Sequence, residues 1–100
     1  MDPETLQKVV IEKLSQVIDP ETGADVIRMR LIQDLQVDES GRVSYVFRPS
    51  SPLCPIAVHL SVMIMQAVNE VPEVKSQSIT VVDYIQADTL NELLRSLLEP

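Results

Sequence analysis

A chain of 100 residues with 45% hydrophobic and 23% charged side chains has the length and balance of a single globular domain, 1–100, built on one core. Its 15 acidic against 8 basic side chains leave a net charge of -7, which opposes a polyphosphate surface, so no nucleic-acid partner is expected. No apolar run approaches the roughly 20 residues that span a bilayer, and Met1-Asp2-Pro3-Glu4 lacks the basic and apolar regions of a signal peptide, so no membrane partner and a cytoplasmic location are expected.

Asp2 can cap a first helix and Pro3 suits its first turn, after which Leu6, Val9, Val10, Leu14, Val17 and Ile18 recur at helical spacing. This predicts a helix over 3–18, ended by Asp19-Pro20 because the residue before proline is pushed out of the helical region. An acidic turn, Asp19-Pro20-Glu21-Thr22-Gly23, follows. From Leu31 to Val37 the period is two, with Leu31, Leu35 and Val37 on one side and Ile32 on the other. Asp38-Glu39-Ser40-Gly41 reads as a turn, and Val43, Tyr45 and Phe47 alternate with Ser44, Val46 and Arg48, so the two strands form an antiparallel hairpin.

Pro49, Pro52 and Pro55 exclude ladder pairing and give a stiff loop, with Pro55 placed as the first residue of a second helix that continues through the apolar segment Ile56–Val71. That helix is apolar around most of its circumference, with a narrow polar stripe at His59, Gln66, Asn69 and Glu70 and with Val62 and Met63 on the same side. Ser78 to Ile85 reads as a third strand, and Thr89-Leu90-Asn91-Glu92 is a capping-box pattern for a last helix. Strand, helix, strand in this order implies parallel pairing of the second and third strands. The expected fold is α+β: a two-layer α-β-β-α-β-α domain with a small mixed sheet.

The chemistry concentrates at Cys54. A single cysteine makes no intrachain disulfide and supplies one of the four ligands of a structural zinc site. Immediately before Pro55 it falls at the expected N-cap of the second helix, where free N–H groups and the helix dipole favour a thiolate, the form that binds soft metals. Ser50 and Ser51 share its loop and could donate to the sulfur. The residues leave a second reading open, a buried and inert cysteine, since free Cys is among the most buried residue types. Asp19 and Glu21 likewise have two readings: a solvated turn with Asp19 bonding the local backbone, which the spacing favours, or carboxylates beside Cys54. The second requires the helices to lie antiparallel on the sheet, so that the end of one meets the start of the other. His59 is expected to be exposed or at an interface, and Met63 and Met65 to be core or subunit contacts.

Asp19-Pro20-Glu21 after a first helix, and Phe47-Arg48-Pro49-Ser50-Ser51-Pro52-Leu53-Cys54-Pro55 opening an apolar helix, together resemble the small metal-sulfur cluster assembly proteins. That family includes SufT, PaaD and the eukaryotic cytosolic iron-sulfur targeting factors, and the resemblance covers about residues 5–85. It implies a non-enzymatic role in assembling iron-sulfur clusters or transferring them to client apo-proteins, with Asp19, Glu21, Ser50 and Cys54 at the matched positions. Iron or an iron-sulfur cluster held transiently on Cys54 is the implied cargo, and a homodimer, other assembly proteins or clients would complete its ligands. A threonine is usual where Ser50 stands, and the glycine usual before the first strand is replaced by Arg30. An adaptor that binds the assembly machinery and uses Cys54 structurally is the competing function; another kind of thiol enzyme lacks a base near Cys54 in the sequence.

Overall fold

In the computed structural model, which describes residues 1–98, Asp2 Oδ1 accepts the Thr5 N–H at 2.8 Å and opens α1 (Pro3–Leu14). Leu6, Val10 and Leu14, spaced by four, form its buried stripe. The helix is shorter than the expected 3–18. Gln16 N–H turns back to Lys13 O at 3.1 Å and Val17 N–H to Leu14 O at 3.0 Å, a tightened last turn. Val17 O then accepts from Val26 N–H, and Ile18 pairs with Asp25 in an isolated bridge. The β-branched pair before Asp19-Pro20 thus joins the following turn instead of prolonging the helix.

The sheet has the order β1 (Ile32–Val37), β2 (Arg42–Phe47), β3 (Ser76–Val81), with β1 antiparallel and β3 parallel to β2. Val43, Tyr45 and Phe47 face the core, opposite Gln77, Ile79 and Val81 across the parallel pair. In β1 the expected parity holds only for its second half. Ile32 pairs with buried Phe47, whereas Val37 pairs with buried Val43, because the register shifts between Gln33 and Gln36. Asp34 sits there at φ +52, and the extra residue of this bulge moves the inward face from even to odd positions. Gly41, at φ +81, closes the hairpin turn where a Cβ would stand 2.7 Å from Glu73 O.

Strand β3 is earlier and shorter than the expected 78–85. Val82 N–H still donates to Phe47 O, but Asp83 at φ +53 takes the chain out of extended conformation. The last helix, α3 (Ala87–Leu98), begins before the Thr89 pattern, since Leu90 N–H already donates to Gln86 O at 3.0 Å. Leu90 and Leu94 bury its inner face. The remaining helix, α2 (Ala57–Asn69), buries Ala57, Leu60, Ser61, Ile64, Met65, Ala67 and Val68. Val62 and Met63 are half-buried beside it, and His59 is exposed.

The register places three connections at one end of the sheet. Ile32, Phe47 and Val81 are neighbours across the three strands, so segments 15–31, 48–56 and 82–86 all leave from that end.

Candidate functional site

The loop 48–56 follows directly from β2, and its shape comes from proline and local hydrogen bonds. Ser51 Oγ accepts from Leu53 N–H at 3.2 Å, and Ser51 O accepts from Cys54 N–H at 3.1 Å. Ser50 and Ser51 are exposed, and the Ser51 hydroxyl oxygen accepts from the loop backbone while its proton stays available to another acceptor. Cys54 is buried, with 6% of its surface exposed, and belongs to the core cluster. Its place relative to the helix also differs from expectation. The N-cap of α2 is Ile56, at φ -108 and ψ 11 with no side-chain cap, so Cys54 stands before the cap and Pro55 lies in a turn outside the helix. Ala57 N–H donates to Cys54 O at 3.3 Å, and this turn, not an N-cap, couples the cysteine to the helix.

In the acidic turn, Asp19 Oδ1 accepts the Glu21 N–H at 2.8 Å, and Asp19 O accepts from Thr22 and Gly23 N–H at 3.3 and 2.8 Å. Gly23 supplies the positive φ, +74, that this closure requires. The carboxylate bonds the local backbone, yet Asp19 is 2% exposed where a solvated turn would leave it open. Asp19 and Ser61 are the buried polar side chains among the described residues, whereas Glu21 is exposed. Asp25 Oδ1 accepts from Arg28 N–H at 2.8 Å and so has a local task of its own. Arg30, standing where a glycine was expected, adopts φ +61, so this position needs the left-handed conformation and an arginine is held in it.

The two helices run antiparallel. Val9 lies beside Val71 and Pro72, Lys13 Nζ pairs with Glu70 Oε2 at 3.5 Å, and Val17 shares a groove with Met63 and Gln66, so α1 itself ends against the second half of α2 and the chain beyond it runs toward the start of α2. The acidic turn is tied to the Cys54 end of the sheet by backbone as well: Val26 N–H to Val17 O, Leu31 N–H to Val26 O, and Arg48 N–H to Leu31 O at 3.0, 3.0 and 2.8 Å. Ser50, Ser51 and Cys54 are therefore together in one loop, Asp19 and Glu21 in another, and both loops leave from the same sheet end. Among the described residues no three of His, Cys, Asp and Glu are grouped so as to hold a metal ion.

Two contacts at this end escaped the sequence reading. Ile85 N–H donates to Pro52 O at 2.9 Å, and Arg48 Nε pairs with Asp83 Oδ2 at 3.0 Å. Leu53 and Ile85, which flank the first of these, are each 69% exposed. Ile85 falls on the parity of Ile79 and Val81 in the expected third strand, and Leu53 lies in the proline loop outside any period.

A two-layer domain with a Pro-bounded cysteine loop and a buried aspartate turn at one end of a three-stranded mixed sheet defines a small α+β class with known members. A domain of unknown function from Bacillus anthracis has the same fold, with a TM-score of 0.74 and 28% identity over 80% of this chain and 76% of that one. The chain belongs to the family of iron-sulfur cluster assembly proteins, whose model matches residues 7–81 and so takes in both loops. Among similar proteins, an uncharacterized protein of Methanocaldococcus jannaschii is 30% identical over 86% of this chain and 90% of its own length. The Fe-S protein maturation auxiliary factor YitW of Bacillus subtilis is 32% identical over 79% of this chain and 78% of its own. The chloroplastic Fe-S cluster assembly factor HCF101 of Arabidopsis thaliana is 32% identical over 77% of this chain, which spans 15% of that protein.

Proposed function

We propose that this chain, acting as one domain, is a non-enzymatic cytoplasmic factor in the maturation of iron-sulfur proteins that holds iron or a cluster transiently on Cys54 and passes it to a client apo-protein. Its family membership and its similarity to maturation factors support the role in iron-sulfur assembly. The observation that carries the finer reading is Cys54 itself. It is the chain's one thiol, it lies in the loop that resembles the family's, and that loop leaves the sheet at the same end as the Asp19-Glu21 turn. A thiolate is the protein's suitable donor to iron, and a cluster ordinarily takes four, so one thiolate per chain favours a shared, short-lived cargo completed by a second copy or by the client. Asp19 orients the turn backbone, and the exposed Glu21, Ser50 and Ser51 are left to meet the partner. Anaerobic reconstitution with iron and sulfide, followed by absorbance and metal analysis, tests this: iron should bind to the wild type and be lost in Cys54→Ala.

The burial of Cys54 favours a second reading, an adaptor in which the cysteine is a core side chain. Under that reading Cys54→Ala keeps client binding and client maturation intact.

A further inference from the structure

From Pro49 to Asn69 the sequence has no Asp, Glu, Lys or Arg, although such residues make up 23% of the whole chain. Burial accounts for the inner half of α2 but not for its outer half. Val58, at 43% exposure, half-buried Val62, and exposed Gln66 and Asn69 recur at helical spacing and form one outward stripe, with exposed His59 beside it. The other two helices turn charge to solvent: α1 carries Glu4 in its first turn and Lys13 in its last, and α3 carries Asp88 and Arg95 in the same places. Helix α2 has no acid in its first turn and no base in its last, and so forgoes the charges that complement a helix dipole. On the α1 side the stripe is bordered by Lys13 and Glu70, which pair with each other at 3.5 Å.

A face without charges selects its partner. Interface cores are depleted of charged residues relative to the rest of a protein surface. A second copy carries the same net charge of -7, so a contact through any charged face sets like charges opposite one another or has to match them pair by pair. In a two-fold contact the same patch meets itself, and a neutral, partly apolar stripe does so without opposing like charges. A basic partner would instead be drawn to the acidic remainder of the surface.

We propose that the outer face of α2, centred on Val58 and Val62, is a self-association surface that takes a second copy of this chain. A helix of 13 residues is about 20 Å long and about 10 Å across, a footprint well below the roughly 800 Å² per partner of a standard stable interface, so the dimer is weak and reversible. It supplies the second copy that the role proposed above allows for, and rests on that role only for what the dimer is used for.

The test is sedimentation velocity of the metal-free full chain between about 5 and 500 µM, the range over which a weak contact fills. Wild type should pass reversibly from monomer to dimer. Two double variants, Val58→Glu with Gln66→Glu and Val58→Lys with Gln66→Lys, should each weaken the dimer at least about tenfold. The basic variant brings the net charge closer to zero, so general repulsion would make it associate more, whereas a contact through this face makes it associate less. An equal mixture of the two variants should regain a dimer at least as tight as wild type, because carboxylates then meet ammonium groups across the face. Glu and Lys are better helix formers than Val, and both positions are open to solvent, so urea midpoints should hold. Gln66→Lys alone, in the last turn of α2 where a cation suits the dipole, decides the matter if changes at Val58 disturb the fold. A wild type that stays monomeric throughout, leaving the stripe to a client or to solvent, overturns the proposal. So does a dimer that the variants leave intact, or a mixture that stays monomeric. None of these readouts involves iron or a client, so the surface can fail while the role of Cys54 stands, and a failure of iron loading leaves the surface standing.

Discussion

The carboxamide of Asn91 accepts the Val81 N–H at 2.7 Å and donates to the Val81 carbonyl at 3.0 Å, doing for the outer edge of β3 what a fourth strand would do. Edge strands left open are templates for association, and α3 closes this one with a side chain. Asn91→Ala should destabilise the fold by about 1–3 kcal/mol, the cost of leaving backbone groups unpaired, measured by urea unfolding. It should also make the protein's association depend more steeply on concentration in sedimentation. An unchanged midpoint would show that water replaces the amide at no cost.

Arg30 offers a test of opposite sign. Its φ of +61 penalises any residue with a Cβ, and glycine removes the penalty while adding freedom to the unfolded chain. Arg30→Gly should therefore stabilise by about 0.5–1 kcal/mol net, read as a raised urea midpoint with an unchanged slope.

The two Asp19 variants separate structure from function. Asp19→Ala removes the acceptor for Glu21 N–H and should cost about 1–2 kcal/mol, whereas Asp19→Asn keeps an oxygen in place and should cost less than about 0.5 kcal/mol. If the carboxylate assists the thiol, Asp19→Asn keeps the stability and loses iron loading. If the turn is architectural only, loading survives in the Asp19→Asn variant and falls solely with the destabilised Asp19→Ala variant.

Tyr45 sets the alkaline limit. Its phenol is buried and donates to Gln77 Oε1 at 2.8 Å, and burial raises its pKa well above the ordinary 10.0. Below pH 10 both states keep the proton and its contribution is fully present. Above it the unfolded chain releases the proton first, so the native state binds more and stability falls by about 1.4 kcal/mol per pH unit. Urea midpoints between pH 8 and 11 should show this decline, and Tyr45→Phe, though it loses the bond to Gln77, should flatten it.

Much of this was legible in the chain. Asp2 with Pro3 marked the first helix start, the alternation from Val43 to Phe47 marked β2, and two motifs in order marked the family. What was not legible depended on single residues whose role is set by distant partners. Asp34 reverses the parity of β1 through one extra residue, which hydrophobic period alone does not reveal. Pro55 has the φ of a helix start, but the chain first makes the Cys54–Ala57 turn and the helix begins at Ala57. Lys13 pairs with Glu70 because α1 stops at Leu14, so the antiparallel helices are offset and the segment after α1, not its last turn, runs toward the start of α2. Asp19 bonds its own turn as its residue type suggests, while its burial comes from packing that no local pattern encodes.

The most direct measurement is cluster transfer from the anaerobically reconstituted protein to a cysteine-ligated apo-ferredoxin, followed by the client's visible absorbance. Wild type should load the client, and Cys54→Ser, matched in size and folded by circular dichroism, should do so at least about tenfold more slowly, since an alcohol is a far poorer ligand for iron than a thiolate. Equal rates for the two proteins would contradict the account and leave Cys54 as a side chain of the core.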